Sequence, residues 1–144
     1  MQGVLLFIFA AGSIWDFSTS LLGIIGLFGV TDWRQEYIPI YISALIGSAL
    51  ILGLSINAEE IWSGTGDDKY KILIPFHIIA VIFDAYTSFL GTAQNVLLKD
   101  SRTAFITIGF REVWQNTTFE QKIALLFVTV LVTMSPIAFS RLKN

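Results

Sequence analysis

Four long apolar stretches separated by polar connections set the pattern of this chain. The first covers residues 3–30 and holds one charge, Asp16. The second, residues 38–56, holds none. The third, residues 72–98, again holds one acid, Asp84, and the fourth covers residues 123–140. An α-helix rises about 1.5 Å per residue, so about 20 apolar residues cross a hydrocarbon core roughly 30 Å thick. Each stretch is long enough. The pattern predicts an all-α fold: an integral membrane four-helix bundle forming a single transmembrane domain over residues 1–144, with both termini on the same side.

The connections differ in kind. Residues 31–36 read as a short polar turn with an interfacial Trp33. Pro39 follows in the first turn of the second span, where a missing N–H costs little. Residues 57–71 carry Glu59, Glu60, Asp67, Asp68, Lys69 and Lys71 around a Ser63-Gly64-Thr65-Gly66 loop signal. Residues 99–122 form the longest connection. There Phe105, Ile106, Gly109, Phe110, Val113 and Trp114 recur at helical spacing among Arg111, Glu112 and Gln115. This predicts an amphipathic helix on the membrane surface, between the third and fourth spans, with a loop packed over the bundle as the alternative. Residues 117–121, Thr-Thr-Phe-Glu-Gln, read as a capping box opening the fourth helix. Ser135-Pro136 predicts a kink near its end.

Composition agrees with the pattern. Of 144 residues, 54% are hydrophobic and only 14% charged, about half the usual soluble share. Mean hydropathy is +0.70. So much apolar surface must face lipid or partner helices. A net charge of −2 gives no basic surface for nucleic acid. The chain has no cysteine, which removes disulfides, thiol catalysis, iron–sulfur clusters and Cys-ligated zinc. The single His77 does not build a multi-histidine metal site, so neither metal nor cofactor is expected. The first stretch lacks a basic leader and exceeds a signal-peptide core, so it is expected to be retained. Five basic residues flank one side of the spans and four the other, which sets no orientation under the positive-inside rule.

One repeated segment carries the chemical information. Residues 12–23 and 80–91 match at a constant offset of 68, sharing aromatic-Asp-x-x-Thr-Ser-x-Leu-Gly. Spans one and three run in the same direction, because one crossing lies between them. The match is therefore a parallel repeat. In span three, His77, Asp84, Thr87, Ser88, Gly91 and Asn95 fall on one helical face; in span one, Gly12, Asp16, Thr19, Ser20 and Gly23 do the same. An ionised carboxylate at the bilayer centre costs at least about 2.5–3.5 kcal/mol. Three states meet that cost: a protonated acid, an acid with a bound cation and hydroxyl ligands, or an acid that accepts hydrogen bonds and locks two helices.

Helix packing accounts for Gly12, Ser20, Gly23, Ser88 and Gly91, and for Ser43 and Gly47 in span two. It accounts poorly for Asp16 and Asp84, since Asn or Ser would lock helices at lower cost. The expected intramembrane polar site is thus Asp16, Thr19, Ser20, Asp84, Thr87 and Ser88. His77 stands seven residues before Asp84, either as a satisfied interfacial histidine or as a proton relay. Asn116-Thr117-Thr118 matches a glycosylation acceptor, which operates only on a lumenal loop. No catalytic constellation of recognised spacing is present, so the chain is not expected to be an enzyme. Two functional readings follow. One is a non-catalytic subunit or scaffold of a larger membrane assembly. The other is an oligomeric channel or transporter subunit for protons or small cations, using Asp16 and Asp84. Both place the chain in a lipid bilayer, as a homo-oligomer or beside other membrane subunits.

Overall fold

The structure is a computed structural model that describes residues 2–63, 71–97 and 105–143. Four helices are long and apolar enough to cross a membrane. They are α1 (Gln2–Leu27), α2 (Ile38–Ile56), α4 (Leu73–Thr92) and α6 (Phe119–Lys143). Two short helices, α3 (Ala58–Ser63) and α5 (Phe110–Asn116), sit in the connections. The protein is an all-α membrane bundle. Helix α1 packs most extensively on α6 and also contacts α2 and α4.

Each helix follows from its local chemistry. Pro39 stands in the first turn of α2, as the sequence predicts. A capping box opens α6: Thr118 N donates to Gln121 Oε1 (2.8 Å) and Gln121 N to Thr118 Oγ1 (3.3 Å). Pro136 lies inside α6, and the preceding Ser135 hydroxyl donates to Leu131 O (2.6 Å). Large apolar side chains such as Phe7, Ile14, Ile46, Leu50, Ile79, Ile82 and Phe127 point outward, where lipid solvates them.

The connections depart from the sequence reading. Part of the 57–71 segment is helical: α3 follows α2 after Asn57, whose side chain and backbone N–H both donate to Gly53 O. The Gly64-Thr65-Gly66 stretch lies outside the described residues. Among the described residues of the long connection, Phe110–Asn116 forms a helix, shorter than expected. Residues 105–109 are not helical. They enter the bundle, burying Phe105, Ile106 and Ile108 completely or nearly so. The reason is local: three successive β-branched residues, Ile106-Thr107-Ile108, and then Gly109 make a poor helix.

This segment joins both halves of the core. Phe105 packs with Ile25, Val30 and Ala44, and its ring lies 4.7 Å from that of Trp33. Ile106 and Ile108 pack with Phe89, Leu90, Ala93, Val113 and Leu125. Buried irregular backbone inside a membrane bundle must find internal partners. Ile106 N donates to Leu22 O (3.3 Å). Gln94, fully buried, supplies two more partners: its Nε2 donates to Phe105 O (2.8 Å) and its Oε1 accepts from Thr107 N (3.0 Å). Gln94 lies in a π-helical turn, Ala93–Leu97, that continues α4.

The backbone of this segment approaches α1 so closely at Gly26 that an added Cβ would overlap the Ile106 carbonyl. Gly26→Ala is therefore expected to destabilise the protein by roughly 1–3 kcal/mol, the usual cost of overpacking. Reversible unfolding in mixed detergent measures this, and wild-type stability would contradict the close approach.

Candidate intramembrane polar site

Asp16 lies near the middle of α1 and Asp84 near the middle of the span formed by α4 and its π turn. Both are buried, Asp84 completely. The two repeated faces meet each other. Ser88 Oγ donates to Asp16 Oδ1 (2.9 Å), and Ser20 Oγ donates to Asp84 Oδ1. Thr19 Oγ1 lies 3.0 Å from Ser88 Oγ, and Ser20 Oγ lies 3.1 Å from Thr87 Oγ1. Each threonine hydroxyl also bonds the carbonyl three residues back, Thr19 to Asp16 O (2.9 Å) and Thr87 to Asp84 O (3.0 Å).

These contacts are reciprocal. The offset of 68 that relates the two segments turns Ser88–Asp16 into Ser20–Asp84, and Thr19–Ser88 into Thr87–Ser20. It also relates the glycines. A Cβ at Gly23 would meet Thr87 Cγ2 at 2.7 Å, and one at Gly91 would meet Thr19 Cγ2 at 2.6 Å. Both glycines are needed for this approach. The repeat is thus a pseudo-twofold contact between α1 and α4. Gly23 and Gly91 lie at the same end of it, where both face Ile106.

The carboxyl groups of Asp16 and Asp84 are close enough to interact electrostatically. Asp84 Oδ2 receives no hydrogen from any described donor. A rough balance bears on their charge. Two ionised carboxylates at mid-membrane cost about 5–7 kcal/mol on insertion scales. The two serine donors return about 1 kcal/mol at a typical 0.6 kcal/mol each. Hydroxyls alone do not hold two negative charges here. A carboxyl–carboxyl contact requires a proton, or a cation, between the oxygens.

The remaining expected residues fall elsewhere. His77 is buried toward the other end of α4; its Nδ1 accepts from Trp62 Nε1 (3.2 Å), and its Nε2 has no partner among the described residues. A two-turn separation puts it about 10 Å along the axis from Asp84. Gly12 packs on α6 rather than α4, where an added Cβ would overlap Ser135 Oγ. Gly47 faces Ile24, whose Cδ1 would lie 3.2 Å from an added Cβ. Ser43 does not join this packing. It is exposed and donates to Pro39 O (2.8 Å), while Ala44 and Ser48 are the buried small residues of α2. Asn95 also leaves the polar face. The wide π turn rotates it outward and brings Gln94 inside. Trp15 Nε1, at the aromatic position of the repeat in α1, donates to Thr92 Oγ1 (3.3 Å), a further α1–α4 link that Phe83, whose ring carries no N–H, has no means to reciprocate. Among the described residues, no group of three or more His, Cys, Asp or Glu gathers to hold a metal.

No family model matches this chain, and neither a curated protein nor a solved structure shows significant similarity to it.

The reciprocity has a measurable consequence. Ser20→Ala and Ser88→Ala are expected to cost equal stability, each roughly 0.5–1.7 kcal/mol. Gly23→Leu and Gly91→Leu are expected to separate α1 from α4 and cost more. Unfolding of the four variants in detergent checks both statements. A difference above about 1 kcal/mol between the two serine variants would contradict equivalent roles.

Proposed function

We propose that this chain is a membrane subunit whose working part is a proton shared between Asp16 and Asp84. One observation carries the reading: two buried mid-membrane carboxyls sit on facing stripes joined by reciprocal serine donors, and Asp84 Oδ2 has no donor among the described residues. Each carboxyl accepts a serine hydrogen. The serine hydroxyls turn their hydrogens to the carboxyls rather than their oxygens to a common centre, which favours a proton over a metal ion. Intramembrane carboxyls in such settings serve proton transfer. Four helices leave little room for a continuous aqueous path within one protomer, so passage across the bilayer requires assembly with further helices.

The competing reading is a non-catalytic scaffold. It is favoured by the wide apolar outer faces of α2 and α6, with Ile42, Ile46 and Leu50 on one and Phe127 and Val130 on the other. The polar stripes contribute nothing to docking in that reading, because they are spent on each other.

Infrared difference spectroscopy at neutral pH tests the proton directly. The wild-type protein is expected to show the C=O stretch of a protonated carboxyl, lost or shifted in both Asp16→Asn and Asp84→Asn. Absence of that band refutes the shared proton. Its loss on adding Na⁺ at fixed pH reassigns the site to a metal cation. Proton flux in reconstituted vesicles, above background for wild type and at background for either Asn variant, separates transfer from scaffolding.

A further inference from the structure

A cavity of about 150 Å³ lies beside the polar site, on the side of the α1 and α4 C-termini. Its walls include Gly23, Thr87, Leu90 and residues 106–109, and it opens outward past the exposed Leu27, Tyr86 and Gly109. Water takes about 30 Å³ per molecule in the liquid, so several molecules fit. Thr87 lies at the boundary. Its side chain lines the cavity, and its hydroxyl lies 3.1 Å from Ser20 Oγ, which in turn donates to Asp84. One hydroxyl relay therefore separates the cavity from the carboxyl pair.

The covering residue is Ile106. An added Cβ at Gly91 would meet Ile106 Cδ1 at 2.8 Å, and one at Gly23 would meet it at 3.8 Å. Its side chain thus sits in the notch between the two repeat glycines. The segment is held there by core packing, by Ile106 N donating to Leu22 O, and by Gln94, through hydrogen bonds of 2.8 and 3.0 Å to Phe105 O and from Thr107 N. A single side-chain amide acts as a missing strand neighbour. It projects from a π-helical turn, a feature often found where helices serve function.

We propose that this cavity is the water port of the carboxyl pair, and that the Gln94 clamp on residues 105–107 sets whether Ile106 seals the glycine notch between the cavity and the pair. The proposal rests on the proton reading for its purpose but not for its test. The ligand is water, delivering and removing protons at Thr87. When Gln94 releases the segment, Ile106 leaves the glycine notch and water from the cavity passes Thr87 toward the carboxyl pair.

The chain has no cysteine, so single cysteines report access without background. Thr87→Cys and Leu90→Cys are to be labelled with a small, water-soluble methanethiosulfonate in the full chain in vesicles. Adding Gln94→Leu or Ile106→Ala is expected to raise the labelling rate at both positions at least tenfold. Ala80→Cys, buried on the same helix toward its other end, should keep its rate. Unchanged rates at 87 and 90 in both backgrounds overturn the proposal. So does an equal rise at 80, which means that the bundle opens as a whole. A missing infrared band beside faster labelling would refute the shared proton and leave the port standing.

Discussion

The bundle is organised around a polar contact in its least polar zone. Ser20 and Ser88 each satisfy the carboxyl of the opposite helix, and Thr19 and Thr87 brace them from behind. In a hydrocarbon surrounding, such groups have no solvent to fall back on. The pairing fixes the register of α1 against α4, because a shift of one residue would leave two acids facing apolar side chains. The glycines matter for the same reason. Without Gly23 and Gly91, the threonine methyls would push the helices apart and stretch every hydroxyl contact. Helices α2 and α6 then close around this pair with largely apolar surfaces.

Much of this is legible in the sequence. Charge is so rare within the spans that Asp16 and Asp84 announce themselves, and the offset of 68 places their companions. The periodicity of Thr, Ser and Gly shows that each set shares one face. It does not say what the face meets; the structure shows that the two meet each other. Thr118 and Gln121 also follow a local rule, and local rules read well.

What failed to read is long-range. The apolar spacing of Phe105, Ile106, Phe110, Val113 and Trp114 fits a helix, yet Ile106-Thr107-Ile108-Gly109 resists one, and the bundle offers that run a buried path. The β-branched triplet was the available signal. Gln94 gave none. An ideal helix places Asn95 on the polar face and Gln94 off it, and only the π turn reverses them. Ser43 failed for a related reason: small residues spaced by four describe two adjacent faces of α2, and Ala44 with Ser48 is the pair that packs.

The pseudo-twofold has one more consequence. Two carboxyls with matching serine donors and matching threonine braces offer a proton two wells of nearly equal depth. Such a centre has no intrinsic direction. Whatever polarity the molecule possesses must come from its unlike ends: an isoleucine over a hollow at one, and an indole donating to an imidazole at the other. Symmetry supplies the seat, and its breaking decides from which side the seat is reached.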